Sequence, residues 1–288
     1  MSFPKWFGAT FIAVAALTLA LHGVTWAWWV KGHGLIAEGA ASRLPDEMPA
    51  FFRTGGKALG YLAGEPDRWK NKEAMFLNST EYPEHFLDLE DLEGQELPTT
   101  RFRYYELLRK LGKQPEKVGF IPYALMDYYE KLACAFADYR REPGNDAIRM
   151  KCLVYAGILS HYSGDICMPL HTTKNYDGRP GPDGHLKQKG IHAKIDGFPE
   201  KLGFTPEEIA RDLQPKKLED VWKEVRSRLD ESHTHIDRCY ELDLERGFDQ
   251  PSESSREFIM KRCQTAAQFT ADLWYSAWTK SATLPPPY

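Results

Sequence analysis

The chain has 288 residues, an apolar share of 42% and a formal charge of −4. That is enough for a full core in one large domain or two small ones. An acidic balance leaves no basic footprint for duplex DNA.

The first 27 residues read as a leader rather than as part of the fold. Lys5 gives a positive start, and the apolar run Phe11–Leu21 is short for a bilayer span. Thr25 and Ala27 occupy the −3 and −1 positions of a cleavage site before Trp28. The alternative is an uncleaved anchor. Cleavage deletes Lys5 and no acid, which takes the formal charge from −4 to −5. The expected product, residues 28–288, is secreted or periplasmic, in an oxidising compartment, with no transmembrane segment.

After the leader, Leu35, Ile36, Ala40 and Leu44 give an apolar stripe that predicts a helix following His33. A second helix is predicted over Phe51–Leu62. Pro66 biases Gly64–Lys70 towards a turn from which Asp67 points inward. Tyr82–Asp88 is short and aromatic, and reads as extended or irregular. Helical spacing returns with Phe102, Tyr105, Leu108 and Leu111. Two further helices are predicted over Phe120–Arg140 and Asp146–Ser160, joined by the turn Glu142-Pro-Gly-Asn. Thr172–Gly190 is a Gly-, Pro- and Asp-rich surface loop. Two long helices, Leu218–Tyr240 and Ser254–Lys280, precede the polyproline-like tail Leu284–Tyr288. There are no clear strands, no internal repeat and no dividing linker. The reading is one all-α domain, a multi-helix bundle whose aromatic stripes are core, and a monomer.

Five cysteines, Cys134, Cys152, Cys167, Cys239 and Cys263, leave at least one thiol free in a monomer. Cys239 and Cys263 lie on the two closing helices, where pairing is open but undecided by sequence. Cys167 reads as a buried thiol rather than a metal ligand.

The chemistry concentrates in His161-Tyr-Ser-Gly-Asp165-Ile-Cys-Met-Pro-Leu-His171. On a helix, His161 and Asp165 leave the same face one turn apart. Pro169 cannot continue that helix undisturbed, so His171 enters from a kink or a new segment. Two imidazoles and a carboxylate converging on one volume suit a first-row metal, with zinc the default. The plain alternative is a buried polar network at a helix end. His192 and Asp196 form a second pair at the same spacing. His185 competes with His192 but has Lys189, not an acid, four residues on. His233 and His235 point to different sides of a helix and read as surface residues. In order, the candidate ligands are Trp28 by its amino terminus, His33, Asp67, His85, His161, Asp165, His171, His192 and Asp196.

These motifs, together with His85-Phe-Leu-Asp88 and a Trp at the mature terminus shortly before a His, resemble one superfamily over essentially the whole mature chain. It joins zinc-dependent phospholipases C with the secreted single-strand-specific nucleases of plants and fungi. The resemblance implies three zinc ions. Asp67, His85, His161 and Asp165 match the ligands of a first. His171, His192 and Asp196 match those of a second, more open site. Trp28, through its α-amine and carbonyl, would hold a third with His33, and Asp165 would bridge the first and third. It also implies hydrolysis of phosphodiesters by metal-activated water, with Asp67 and Asp165 at the reacting centre and a basic residue nearby. Lys70, three residues after Asp67, has the expected spacing; Arg68 competes. Three zinc ions carry +6 and the three aspartates return −3, so an acidic protein still presents a positive site to phosphate. Fixed cations of this kind help most where charge grows in the transition state.

The substrate divides the two branches. Trp28 precedes His33 by five residues and the last ligand is Asp196, as in the nucleases. Phe86 stacking on a base and Asp88 bonding its edge would suit single-stranded nucleic acid. Against this, the loop after His171 lacks Gly-Gly-Asn, and His192-Ala-Lys-Ile-Asp196-Gly-Phe is closer to the phospholipase version. The 86–160 stretch is longer than in either branch. Its Phe102, Tyr104, Tyr105 and Phe120 read mainly as packing residues, with lipid contact or a pocket lining as alternatives. The sequence leans to a secreted zinc phosphodiesterase on single-stranded nucleic acid, with phospholipase C as the alternative and a non-catalytic metal-binding helical protein as the third.

An α-amine ligates only after the leader is removed, because before cleavage that nitrogen is an amide. Protein carrying extra residues ahead of Trp28 should therefore lack one tight zinc relative to protein starting at Trp28. Equal stoichiometry in the two forms, by metal analysis after dialysis, would contradict the terminal ligand.

Overall fold

Two helices of 21 residues, Ile121–Arg141 and Asp146–Ile166, lie packed along one another at the centre of the core. The computed structural model describes residues 30–286. The expected leader, His22 and the Trp28 terminus lie outside the described residues, as do the last two of the tail.

The predicted turn joins the central pair, and Asn145 caps the second helix by accepting from the Ala147 amide at 3.0 Å. That second helix carries His161 and Asp165 and is called the motif helix below. The 29-residue Glu253–Ser281 helix packs across both and against the first helix, Val30–Ala41. Ser252 and Ser255 cap its start reciprocally. Trp274 is fully buried, and its indole N–H donates to the Ala156 carbonyl at 3.1 Å, which satisfies the one polar atom such a ring brings inside. Phe52 meets the edges of Phe136 at 5.0 Å and Trp274 at 5.4 Å, so the aromatic stripes are core as expected.

The bundle is all-α, and several boundaries differ from the sequence reading. The motif helix runs on to Ile166, so His161 and Asp165 share its last turns. Phe51–Leu62 is two helices, Ala50–Arg53 and Gly56–Leu62, broken at Thr54-Gly55. Glu65–Trp69 is a short helix rather than a turn, because Pro66 falls in the first turn, where its missing N–H costs nothing. Met75–Glu81 is a further helix, followed by a 3₁₀ turn over Tyr82–His85. Leu218–Tyr240 is also two helices, Val221–His233 and Ile236–Leu244. Inside the Thr172–Gly190 loop a small hairpin pairs Arg179–Pro180 with Leu186–Lys187. All five cysteines are free thiols, with Cys134 exposed and the other four buried, so Cys239 and Cys263 do not pair. Among the described residues no helix is long and apolar enough to cross a membrane.

One close approach sets the site. A side chain at Gly157 would put its Cβ 2.3 Å from Leu62 Cβ, so only glycine lets the Gly56–Leu62 helix cross the motif helix there. The crossing delivers the Ala63 carbonyl to His161 Nδ1, one turn further on, at 2.8 Å.

Gly157→Ala should therefore destabilise the protein by about 1–3 kcal/mol, the overpacking cost outweighing the gain in helix propensity. Urea unfolding of metal-free protein measures this. A neutral or stabilising result would show that the crossing can relax.

Candidate metal centre

Asp165 is the meeting point of the site. It is fully buried near the end of the motif helix. Its Oδ2 lies 2.9 Å from His85 Nδ1 and 3.1 Å from His161 Nε2. Its Oδ1 lies 3.3 Å from His33 Nε2 and 3.4 Å from His171 Nδ1. Four imidazoles from four chain segments thus face one carboxylate.

Local structure explains each arrival. His161 sits one turn before Asp165 on the same helix. His33 comes from the first helix and stacks on His161 with ring centroids 3.8 Å apart. That contact needs Gly164, where a Cβ would fall 2.9 Å from His33 Nδ1. His171 lies in a 3₁₀ turn, Pro169–Thr172, that begins after the helix ends, which is the new segment expected from Pro169. His85 closes the Tyr82–His85 turn, and its carbonyl accepts from His171 Nδ1 at 2.7 Å. Asp67 sits in the Glu65–Trp69 helix, fully buried, with Lys70 Nζ 2.7 Å from its Oδ1. His192 and Asp196 lie on the short Ile191–Asp196 helix, 3.1 Å apart. Asp177 in the preceding loop accepts from the Gly190 and His192 amides and so fixes where that helix starts.

Donor atoms gather into three overlapping groups, each within 4.8 Å: Asp67, His85 and His161; His33, His161 and Asp165; and His171, His192 and Asp196. Every expected ligand among the described residues falls in one of them. His185 does not: it is exposed on the hairpin. Cys167 is a buried thiol outside the groups, its pKa pushed up to about 12 by burial. Of the two candidate basic residues, Lys70 faces the site. Arg68 turns away to Glu65 at 2.6 Å and lies over the Tyr61 ring at 4.4 Å.

The protonation states suit a cation. Burial holds His33 down at about 4, lowers His171, and lowers His192 well below its ordinary value. These rings are therefore neutral and keep a lone pair near neutral pH. Burial pushes Asp67 and Asp165 upward, but Lys70 beside Asp67 and the imidazoles around Asp165 outweigh it, and both carboxyls sit below the usual range. Burial alone would lower Lys70, yet Asp67 and Asp165 keep it above its ordinary value. Among the described residues, His171 Nε2 and Asp165 Oδ1 are buried without a well-formed hydrogen bond. Buried atoms of this kind are costly unless something binds them. A divalent ion with imidazole and carboxylate ligands fits each group.

The outer residues divide. Phe86 is half-buried beside Tyr82, ring centroids 5.9 Å apart, and its backbone is pinned because Gly119, at φ 95°, leaves no room for a Cβ against the Phe86 carbonyl. Asp88 is buried, and burial with Glu90 and Asp91 nearby pushes it up to about 7. Tyr104 and Phe120 pack inside, whereas Phe102 and Tyr105 are exposed. His233 and His235 are half-buried rather than surface residues; His233 Nδ1 bonds Thr172, next to His171, and His235 pairs with Glu231. The sequence reading missed Glu81, a buried carboxylate 3.5 Å from His85 Nε2. Its one signal is the four-residue spacing to His85, which the extended or irregular reading of Tyr82–Asp88 passed over.

No family profile matches the chain, and no curated protein matches it in sequence. Among solved structures it is similar to the alpha-toxin of Clostridium perfringens, at 15% identity and a TM-score of 0.48 over 90% of this chain and 67% of that one. It is also similar to the alpha-toxin of Clostridium absonum, at 14% identity and 0.37, over 89% and 65%. The chain spans about two thirds of the length of these toxins. At such scores the chemistry must be read from the residues of this chain.

The histidine shifts give a sign for acid stability. His33 titrates at about 4 folded and near 6.5 unfolded. Between those values the unfolded chain binds more protons, so metal-free protein loses stability on acidification through that window. Going from pH 7 to pH 5 should lower its unfolding free energy by on the order of 2 kcal/mol from His33. His171 and His192 act in the same sense, and His85, raised by its contacts to Asp165 and Glu81 against burial and Lys70, in the opposite one. Urea unfolding of chelator-treated protein at the two pH values decides; a gain in stability at pH 5 would refute the buried neutral imidazoles.

Proposed function

We propose that the chain is a zinc-dependent phosphodiesterase of the phospholipase C type, acting on phospholipid at a membrane surface after export and removal of residues 1–27. The observation that carries the choice of substrate is an exposed apolar segment on the helix that ends in Glu81, 3.5 Å from His85, together with an exposed tyrosine against His192. Met75, Phe76 and Leu77 are consecutive on the Met75–Glu81 helix and all exposed, Phe76 at 84%. Consecutive residues fan around a helix, so this element turns an apolar side to solvent. Clusters of exposed apolar residues mark interaction surfaces, membranes among them. Tyr82 and Tyr176 are also exposed, and Tyr176 lies edge-on to His192 at 5.6 Å. Electron-rich faces from Tyr82, Phe86 and Tyr176, with the carboxyl of Asp88 close by, suit a quaternary ammonium head group. A cation there would also return Asp88 to its charged form.

Three zinc ions would be held by Asp67, His85, His161 and Asp165 for the first; His171, His192 and Asp196 for the second; and His33 and Asp165, with the α-amine and carbonyl of Trp28, for the third. Bound there, zinc would supply Lewis acidity and lower the pKa of water. The protein's own groups do the rest. Asp67 and Asp165 stay ionised and hold the cluster together. Lys70 keeps its charge and stands where phosphate oxygens gain negative charge in the transition state. Single-stranded nucleic acid is the second reading. The half-buried ring of Phe86 and the spacing of Trp28 and His33 favour it.

Zinc-loaded protein starting at Trp28 should release phosphocholine from phosphatidylcholine vesicles, and chelation should abolish the release. Single-stranded RNA, tested in parallel, should stay intact. Phe76→Ser should slow vesicle hydrolysis several-fold while leaving a monomeric, water-soluble choline phosphodiester unaffected. RNA cleavage alone would overturn the lipid reading. No cleavage of either with zinc bound would favour a binding protein.

A further inference from the structure

His85 is oriented unlike the other ring donors. His161 and His171 each donate Nδ1–H to a main-chain carbonyl, Ala63 at 2.8 Å and His85 at 2.7 Å. That turns Nε2 of each ring towards the cluster. His85 is reversed: its Nδ1 lies 2.9 Å from Asp165 Oδ2 and 2.9 Å from His161 Nε2. To serve an ion from there, the neutral ring must carry its proton on Nε2. That nitrogen is buried and makes no well-formed hydrogen bond among the described residues. Facing it is Glu81 Oε1, at 3.5 Å.

Glu81 is not a surface acid at this distance by chance. It is 8% exposed, at the end of the Met75–Glu81 helix. Its Oε1 takes the phenolic hydrogen of Tyr162 at 2.5 Å. Tyr162 is itself buried and follows His161 on the motif helix. A carboxylate has lone pairs for both Tyr162 O–H and His85 Nε2–H, and a small closure of the 3.5 Å gap completes the second bond. A carboxylate behind a ligating imidazole fixes its tautomer and raises its basicity. Backbone carbonyls do this for His161 and His171; of these three rings, His85 is the one with a carboxylate behind it.

We propose that Glu81, anchored by Tyr162, is a positioning residue that holds the His85 proton on Nε2 and so presents Nδ1 as the lone-pair donor to a divalent ion. The proposal rests on the metal-centre reading above and on no choice between lipid and nucleic acid.

The test uses zinc as the probe and mature wild-type, Glu81→Gln, Glu81→Ala and Tyr162→Phe proteins. Affinity is measured by competition with a chromophoric chelator, and stoichiometry by metal analysis. The His85 tautomer is read from its ring ¹⁵N shifts. Glutamine keeps an acceptor but no charge, so the expected order of affinity for one ion is wild type, then Gln, then Ala. The loss at Ala should be roughly 10–100-fold, with stoichiometry retained in excess zinc. Tyr162→Phe, which leaves the carboxylate but frees it, should fall between wild type and Ala. The His85 pattern should show protonated Nε2 in wild-type protein and a mixed pattern in the Ala variant. Unchanged affinity and ¹⁵N pattern in both Glu81 variants would overturn the positioning role while leaving the metal centre standing. Loss of a whole ion from Glu81→Gln at saturating zinc would also overturn it, by making Glu81 a direct ligand. Wild-type protein that binds no zinc would sink the metal centre and the proposal with it.

Discussion

One buried carboxylate governs this molecule. Asp165 has no exposed surface and has imidazole nitrogens of His33, His85, His161 and His171 within 3.4 Å. A lone ionised carboxylate in that position would cost several kcal/mol. The surrounding imidazoles offset that cost by their charge when protonated; as neutral rings each has a single N–H, and two of those, on His161 and His171, already point at backbone carbonyls. At the centre, His161 Nε2, left a lone pair because Nδ1–H goes to the Ala63 carbonyl, stands 2.9 Å from His85 Nδ1, so few N–H groups remain to serve both oxygens of Asp165. Such an arrangement is poor as a hydrogen-bond network and good as a ligand cage. The same geometry that the polar-network alternative would have to explain away is what a cation requires.

The scaffold pays attention to this centre through backbone contacts more than through side chains. Gly157 admits the helix that brings the Ala63 carbonyl to His161, and Gly164 admits the His33 ring. The His85 carbonyl orients His171, and Asp177 pins the start of the helix that carries His192. Gly157 and Gly164 lie buried on the motif helix, the His85 carbonyl comes from the Tyr82–His85 turn, and Asp177 comes from the Thr172–Gly190 loop. The rim comes from the seven-residue Met75–Glu81 helix and from exposed residues of the same turn and loop, Tyr82 and Tyr176. Short exposed elements can present apolar side chains outward without disturbing the core, which separates the surface a substrate meets from the centre that binds ions.

Much of the clustering was legible in the sequence because its candidate ligands repeat at helical spacing. His161 with Asp165, and His192 with Asp196, need only a helix to share a face, and both pairs lie on helices. Pro169 announced the break that frees His171. The all-α bundle followed from the same periodicity in the aromatic stripes. Illegible were features fixed by tertiary contact. The helix over Met75–Glu81 has no buried stripe to betray it, since nearly all of it is exposed. The break at Thr234-His235 falls within a continuous apolar pattern, so periodicity alone joins two helices into one. Proline at Pro66 was read as a turn signal because local chemistry does not distinguish the first turn of a helix from a loop. Lys70 could not be preferred to Arg68 until the fold turned Arg68 onto Tyr61.

The role proposed for Glu81 shows what ligand motifs leave out of a candidate metal site. A motif records the atoms that touch the ion. It is silent about which nitrogen of each ring does so, because that depends on what stands behind the ring. For His161 and His171 the answer is a backbone carbonyl, which any sequence supplies and no sequence reveals. For His85 it is a side chain four residues away, held by a tyrosine 81 positions further along the chain. The helix that ends in Glu81 begins with the exposed Met75, so the acid behind His85 and the apolar rim belong to one short element. That element has its buried end against His85 and its exposed end in solvent, so a helix so small and so little buried stands beside some of the most buried charges among the described residues.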